Sequence, residues 1–273
     1  MHLACPPEAL IELTRLNPFD RFPDGRPRVP DDIVERMKLV TTEEAWGVLR
    51  QHGYHQQFLG DWFVTHPDRI LVGRAVTTQF VPSRPDLSDL VAESGKEQGR
   101  IGGQNSWVID ILQTGDVMVV DIYGKADMGT FVGDNLATAV RARTMAGAVI
   151  EGTIRDYQGI VKLTDVNFFV RAVHPSFIQN ATILSINLPI RIREVTIMPG
   201  DIVLGTPSGV IFIPPHLAQE VVEKSEDTRI RDEFGHQRLR EGRYTPGEID
   251  RVWSEEIEAD FHGWRTRKEA PSP

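Results

Sequence analysis

The sequence predicts an α/β protein, and three observations support this class. Residues 114–151 read as strand, helix and strand, which is the pattern of a βαβ unit. Residues 198–215 hold two short apolar runs separated by turn residues, as in a β-hairpin. Polar, helix-like segments flank this core. We therefore expect a helical N-terminal extension at residues 1–69, a core domain at 70–225 and a helical tail at 226–273.

The extension opens with a proline-rich stretch that excludes long regular elements: Pro6, Pro7, Pro18, Pro23, Pro27 and Pro30. A helix is predicted after Pro30, where Asp31 and Asp32 can cap it. Its apolar face comprises Ile33, Val34, Met37 and Val40. A second helix is predicted to follow Thr42 as its N-cap, with Glu44 close behind.

The core begins with a predicted strand from Arg69 to Val81. A helical signal follows at 103–112, and the Val-rich run at 114–124 is typical of a strand buried on both faces. A helix is then expected at 135–146, with Gly147 as its C′ residue, followed by a strand at Ala148–Glu151. This βαβ crossover is expected to be right-handed. Further strands are predicted at Phe168–Val173 and Ile183–Ile186, ahead of the hairpin.

The tail beyond His216 is polar and helical in pattern. It carries sparse apolar anchors: Ile230, Phe234, Leu239, Val252, Trp253 and Ile257. We expect this tail to pack on a neighbouring subunit.

Composition excludes several classes of function. The 30 basic and 39 acidic residues give a formal net charge of -9, which argues against binding to nucleic acid or to anionic lipid. The single Cys5 excludes an internal disulfide, and the eight histidines show no zinc-binding spacing. With no signal-peptide pattern and no apolar run near the roughly 20 residues of a membrane span, we expect a soluble, cytoplasmic protein.

The segment Gly133-Asp134-Asn135-Leu136 lies at a predicted helix start. Asp134 or Asn135 could simply cap that helix. Alternatively, Gly133 allows a ligand to approach the backbone, and the free N–H groups bind an anion.

Arg155 and Asp156 follow the next strand, and therefore lie at the same edge of the sheet as Gly133. A guanidinium matches a carboxylate with two parallel hydrogen bonds, and one carboxylate with waters is a usual Mg²⁺ site. A plain surface ion pair between Arg155 and Asp156 is the alternative. The glycines before Gln104-Asn105-Ser106 do not have P-loop spacing.

Five segments stand out along the core: VGRAVT (72–77), GDVMVVD (115–121), GDNLATAVRA (133–142), GTIRD (152–156) and PGDIVLGTPSGVIFIP (199–214). In this order they resemble the RraA-like family, which includes class II 4-hydroxy-4-methyl-2-oxoglutarate aldolases and the regulator of ribonuclease E activity. The resemblance covers roughly residues 70–225.

This resemblance implies a β/β/α swivelling-type core, like the phosphohistidine domain, that assembles as homotrimers or homohexamers. It also implies that Gly133–Leu136 and Arg155 bind a pyruvate moiety, that Asp156 ligates Mg²⁺ or Mn²⁺, and that Asp134 holds a water on the metal. A neighbouring chain would supply an acidic residue, for which Glu220, Glu223 and Glu226 are the candidates.

The sequence departs from the family pattern at two places. Gly205-Thr206-Pro207-Ser208 stands where an acidic run is common, and Ile122 and Tyr123, with Lys125 beyond, replace the usual glycines. We expect a metal-dependent aldolase acting on a small 2-oxo acid, with oxaloacetate decarboxylation as a side activity. The alternatives are a non-catalytic, protein-binding regulator or a hydratase or sugar-acid lyase on the same site.

Overall fold

The computed structural model describes residues 3–269, which form ten α-helices, one short 3₁₀ helix (Pro215–Leu217) and twelve strands. The helices are α1 (Pro7–Leu13), α2 (Asp31–Met37), α3 (Thr42–Gln51), α4 (Pro85–Glu97), α5 (Gln104–Ile109), α6 (Asp134–Thr144), α7 (Tyr157–Ile160), α8 (Ala218–Arg240), α9 (Pro246–Ile249) and α10 (Glu255–Glu269). The strands are β1 (Phe58–Leu59), β2 (Phe63–Val64), β3 (Leu71–Pro82), β4 (Asp116–Asp121), β5 (Thr130–Val132), β6 (Gly147–Ile154), β7 (Asn167–Val173), β8 (Ala181–Ile186), β9 (Ile190–Ile192), β10 (Val195–Ile197), β11 (Ile202–Thr206) and β12 (Gly209–Ile213).

Ten of the strands form one mixed sheet in the order β1-β12-β11-β3-β4-β6-β7-β2, with β5 on β6 and β8 on β3. Strands β3, β4, β6 and β7 are mutually parallel, and β5 is parallel to β6. The predicted βαβ unit is β4-α6-β6, and the predicted hairpin is β11-β12. The α/β class is therefore confirmed as a mixed α/β fold.

The sheet is strongly curled. Strands β1 and β2 lie at opposite ends of the strand order, yet only Gly60, Asp61 and Trp62 separate them in the chain. Four residue steps span at most about 14 Å, so the two edges of the sheet must come close together. The sheet thus approaches the closed geometry of a barrel.

Strand β4 is buried along its whole length, which confirms the prediction for this run. Met118 and Val120 belong to a core cluster that includes the buried residues of α5 and α6, whereas Val117 and Val119 belong to a second cluster with the β9-β10 hairpin. Because side chains on both faces of β4 are buried, the sequence shows a continuous Val-rich run instead of alternating apolar and polar residues.

The predicted caps of α2 and α3 are wrong in detail. Thr41, not Thr42, is the N-cap of α3, where it forms a capping box with Glu44. The N-cap of α2 is Pro30, and no side chain caps this helix. Asp31 instead accepts a hydrogen bond from Arg74 on β3, because a guanidinium offers a charged partner.

The end of α6 also differs from the prediction. Met145, at φ 56°, is the left-handed residue that ends the helix, while Gly147 is the first residue of β6. Gly147 is needed for close packing, because a Cβ there would lie 1.8 Å from the carbonyl oxygen of Asn167. Its φ of 139° also disfavours any other residue.

A buried ion pair joins the N-terminal segment to the sheet. Arg26, 1% exposed, donates from Nη1 to Oδ1 of the fully buried Asp116 at 2.8 Å, and from Nε to Asp24 at 2.7 Å. The Phe22 ring covers the guanidinium, whose Cζ lies 4.8 Å from the ring centroid. Burial raises the pKa of Asp116, and the Arg26 charge opposes that rise.

The chain divides into two compact units, at residues up to Val222 and from Glu223 onward. In the second unit, Phe234, Ile257, Phe261 and Trp264 form an apolar cluster, and Arg238 pairs with Asp260. Val252, predicted to be an apolar anchor, lies outside this cluster and is 95% exposed in the isolated chain, so its role stays a prediction. Between residues 3 and 269, no helix has both the length and the apolar composition needed to cross a membrane.

We expect Arg26→Met to lower the free energy of unfolding by about 3–5 kcal/mol, because the Asp116 carboxylate would remain buried without a counter-charge. Urea unfolding at pH 7 measures the change. Arg84→Met is the matched control, since the Arg84–Asp86 pair is exposed and its loss should leave the free energy of unfolding nearly unchanged. Equal effects of the two substitutions would contradict this account.

Candidate functional site

The candidate site lies where β5 and β6 end side by side. Val132 pairs with Ile154 in the parallel register, and the Arg155 N–H donates to the Val132 carbonyl at 3.1 Å. Gly133 then begins α6, and Arg155 and Asp156 leave β6 at the same edge. The sheet therefore brings together two segments that are separated in the chain.

Gly133 packs directly against the side chains that follow β6. A Cβ at this position would lie 2.4 Å from Oδ2 of Asp156 and 3.0 Å from Nε of Arg155. Because real Cβ atoms do not approach so closely, any larger residue would displace one of these two side chains. The absence of a side chain here lets the guanidinium and the carboxylate lie against the start of α6.

Arg155 and Asp156 form an ion pair, with Nε 3.3 Å from Oδ2, and their side chains are 43% and 45% exposed. Exposed pairs of this kind contribute at most about 1 kcal/mol. Asp156 also holds a left-handed backbone, with φ 53°, which disfavours residues other than glycine. The pair therefore gives little stability in return for a disfavoured conformation, and both charged groups remain open to a ligand.

A cleft of about 100 Å³ opens at this edge. All six residues singled out from the sequence line it: Gly133, Asp134, Asn135, Leu136, Arg155 and Asp156. The structure thus assembles the expected set in one place. Their roles in binding or catalysis stay a prediction.

The start of α6 differs from one of the two interpretations of its sequence. Gly133 is the N-cap and no side chain caps the helix, so the expectation that Asp134 or Asn135 caps it is wrong. The first intrahelical bond is from the Ala137 N–H to the Gly133 carbonyl. Within residues 3–269, the N–H groups of Asp134, Asn135 and Leu136 have no acceptor, and they remain available to an anion.

Asp134 is half-buried between α6 and α7. A Cβ on Gly159 of α7 would lie 2.7 Å from Oδ2 of Asp134, so this glycine makes room for the carboxylate. Asp134 and Asp156 therefore approach the same cleft from two different helix starts.

Five further residues line the cleft and were not recognised in the sequence: Asn105, Thr130, Phe131, Phe177 and Ile178. Asn105 donates to the Phe131 carbonyl at 2.7 Å and so fixes the wall beside Gly133. Thr130 is hydrogen-bonded to Thr153 at 3.0 Å across β5 and β6. The only sequence signal was the glycine-rich segment before Asn105, which lacks a phosphate-binding spacing.

The donor set suits magnesium or manganese better than zinc. Among the described residues, no group of three or more His, Cys, Asp or Glu side chains is close enough to hold a metal. Mg²⁺ is commonly held by one or two carboxylates and completes its shell with water and substrate oxygens. Within residues 3–269, Asp156 and Asp134 are the two carboxylates that line the cleft. Tyr123 and Lys125 are not among the described residues that line the cleft.

Comparison with known proteins identifies relatives of this chain. The model of the RraA-like family, described as Aldolase/RraA, matches residues 32–212. A Pseudomonas entomophila protein provisionally named 4-hydroxy-4-methyl-2-oxoglutarate aldolase is 33% identical over 157 residues, covering 52% of this chain and 95% of that protein. A Halalkalibacterium halodurans protein with the same provisional name is 31% identical over 119 residues, covering 44% and 56%.

The Legionella pneumophila protein DlpA is 28% identical over 164 residues, which cover 60% of this chain but only 24% of DlpA. The matches thus span about a quarter of DlpA and just over half of the Halalkalibacterium protein.

Solved structures are similar over most of the chain. Streptomyces coelicolor RraAS2, described as an unusual member of the RNase ES inhibitor RraA protein family, has a TM-score of 0.64 at 26% identity, covering 80% of this chain and 99% of that chain. An uncharacterised protein from Pseudomonas syringae has a TM-score of 0.66 at 21% identity, covering 82% and 98%, and supports the fold alone.

We expect Gly133→Ala to lower the free energy of unfolding by about 1–3 kcal/mol, because the added methyl group overpacks the contact with Asp156. Urea unfolding measures the loss. Gly47→Ala is the control, since no atom lies within 4 Å of the added Cβ and the position is helical. That substitution should instead stabilise the protein by up to about 1 kcal/mol. A neutral Gly133→Ala would contradict the close approach described above.

Proposed function

Because the chain belongs to the RraA-like aldolase family, we propose that it is a divalent-metal-dependent lyase. The substrate class is a 4-hydroxy-2-oxo acid, which is cleaved to pyruvate and a carbonyl product, with oxaloacetate decarboxylation as a side activity. The observation that supports this most strongly is the meeting of Arg155, Asp156 and the uncapped start of α6 in one cleft. The layering is proposed to be of the β/β/α swivelling type.

The substrate carboxylate is bound between Arg155 and the start of α6. The guanidinium offers two parallel N–H donors to the two carboxylate oxygens. The N–H groups of Asp134, Asn135 and Leu136 add donors at the positive end of the helix dipole. These contacts fix the 2-oxo group next to Asp156.

Asp156 holds Mg²⁺ or Mn²⁺ in this proposal, and Asp134, which lines the same cleft, contributes through a water. When bound, the metal supplies Lewis-acid stabilisation of the negative charge that develops on the 2-oxo group as the C–C bond breaks. Because Gly133 has no side chain, the Asp156 carboxylate can lie directly against the backbone at the start of α6, where it lines the cleft.

Proton movement is assigned to Asp134. Cleavage removes the proton of the 4-hydroxyl group while the C3–C4 bond breaks, and C3 then gains a proton to give pyruvate. Asp134 lines the cleft and carries the carboxylate that can position the water for these transfers. Oxaloacetate follows the same electron flow, with CO₂ leaving instead of the aldehyde or ketone.

The active form is proposed to be a homotrimer or homohexamer, in a cytoplasmic setting, with an acidic residue of a second subunit completing the site. The candidates Glu220, Glu223 and Glu226 all lie on α8. Glu220 already contacts His52 of its own chain at 3.0 Å, so its use by a neighbour would require that contact to open.

A second candidate function is a non-catalytic, protein-binding regulator, which the similarity to RraAS2 favours. Turnover of a 2-oxo acid substrate distinguishes the lyase from the regulator. A panel of 4-hydroxy-2-oxo acids and oxaloacetate, assayed with Mg²⁺ or Mn²⁺ and lactate dehydrogenase coupling, should release pyruvate and lose that release with EDTA. No release with either metal would reject the lyase.

We expect Asp156→Ala to lower kcat by at least about 10²-fold, because charge stabilisation by the metal is lost. Asp86→Ala, which alters an exposed aspartate in an Arg–Asp pair outside the cleft, is the matched control and should keep the wild-type rate. Thermal unfolding of both variants checks the fold. Wild-type turnover by Asp156→Ala would reject the assignment of this carboxylate.

We expect Arg155→Lys to raise KM or lower kcat by about 10-fold or more, since a lysine keeps the charge but loses the bidentate fork. Initial rates of pyruvate release, measured over a range of substrate concentrations, give both constants. Arg84→Lys serves as the control, because that arginine pairs with an exposed aspartate. Unchanged constants in Arg155→Lys would remove this side chain from substrate binding.

A further inference from the structure

Two turns of the core have the same construction. In the Gly115-Asp116 turn, Oδ2 of Asp116 accepts the Gln113 N–H at 2.8 Å, and in the Gly200-Asp201 turn, Oδ2 of Asp201 accepts the Met198 N–H at 2.8 Å. Both glycines have a positive φ, at 82° and 87°. Each turn leads into a strand that is buried throughout, β4 and β11.

The two carboxylates differ in what faces their second oxygen. Oδ1 of Asp116 is met by the guanidinium of Arg26 at 2.8 Å. Asp201 is only 2% exposed, and within residues 3–269 neither a cation nor any hydrogen bond reaches its Oδ1. Burying a carboxylate without a counter-charge costs free energy, so a positively charged partner bound beside Asp201 would stabilise it.

A cavity of about 280 Å³ lies beside Asp201. Its walls are largely apolar, from α1, the Tyr54–Gln57 segment and the turn after β12. Asp201, Tyr54 and His216 contribute polar groups to it, and the Tyr54 Oη and His216 Nε2 atoms are 3.2 Å apart. The other polar residues of the lining are Thr14, Asn17, Gln57 and Thr196. This volume is just below the range for small-molecule sites, roughly 300–1,000 Å³, and suits a small ligand.

We propose that this cavity binds a small organic cation, an ammonium or guanidinium group on a short apolar chain, with the charged group on the Asp201 carboxylate. In the Gly115-Asp116 turn, the guanidinium of Arg26 provides this interaction by donating to Oδ1 of Asp116. The apolar walls would cover the chain, and Tyr54 would accept a second hydrogen bond from the cation. The site uses no residue of the cleft at Gly133.

The surrounding charges do not compete for the carboxylate. Burial, and to a lesser extent the neighbouring His52, lower the pKa of His216, so this ring is neutral at pH 7 and adds no positive charge. Burial and then the Asp201 charge raise the pKa of Tyr54, which stays a neutral phenol. His52 is held by Glu220 at 3.0 Å. Desolvation raises the pKa of Asp201 to about 7.

Isothermal titration of the full-length protein tests the site with four probes of one chain length: n-butylammonium, n-butylguanidinium, n-butanol and butyrate. The two cations should bind at least 10-fold more tightly than the alcohol or the acid. Their affinity should rise about tenfold from pH 6 to pH 8, as the Asp201 carboxyl ionises. Asp201→Asn keeps an acceptor for the Met198 N–H but should weaken cation binding at least 10-fold.

Two variants serve as controls. Asp86→Asn should leave binding unchanged, and Asp156→Ala should also bind the cations normally, so that failure of the lyase proposal and failure of this one are distinguishable. Equal binding of butanol, or unchanged binding by Asp201→Asn, would overturn the proposal. A changed oligomeric state of Asp201→Asn without any probe binding would also overturn it, and would assign the carboxylate to a contact between subunits.

Discussion

The parallel pairing of β5 with β6 is the constraint on which the candidate site depends. It places the residues after Val132 and after Ile154 at one edge, although more than 20 residues separate them in the chain. The Arg155 backbone is tied to β5 by its hydrogen bond to Val132. Ligand sites of parallel sheets form at this edge because helix N-termini and strand ends meet there.

The parallel strands β4 and β3, which follow β6 in the sheet order, are held to the N-terminal segment by charge. Asp116 begins β4 and is fixed by Arg26, while Arg74 of β3 donates to the Val29 carbonyl and to Asp31. Three arginine contacts thus join the N-terminal segment to two neighbouring parallel strands. Because β4 pairs with β6, this anchoring supports the strand from which Arg155 and Asp156 emerge, and a preorganised binding site requires such support.

Much of this architecture could be predicted from local pattern. The βαβ unit, the β11-β12 hairpin and the polar helices follow from periodicity and turn residues, because burial imposes those patterns directly. Gly133, Arg155 and Asp156 could be placed on one edge for the same reason. The cap of α3 was displaced by one residue, since Thr41 and Thr42 are equivalent in a sequence and only backbone geometry selects between them.

Other features depend on tertiary contacts that no local window contains. Helix α6 ends at the left-handed Met145, and Gly147 is instead required for packing against Asn167 at the start of β6. Asn105 on α5 and Phe177 in the loop after β7 reach the cleft from segments far from Gly133 in the chain, so only the tertiary packing brings them together. The Asp201 cavity needs side chains from α1, the segment after α3 and the turn after β12.

The near meeting of β1 and β2 has a consequence for self-association. An open sheet edge exposes unpaired backbone groups that can recruit a strand from another molecule. Here each end of the strand order is a strand of two residues, and Gly60, Asp61 and Trp62 connect the two. Such short, mutually tethered borders leave little free backbone at these two ends of the sheet for a strand of another molecule to pair with.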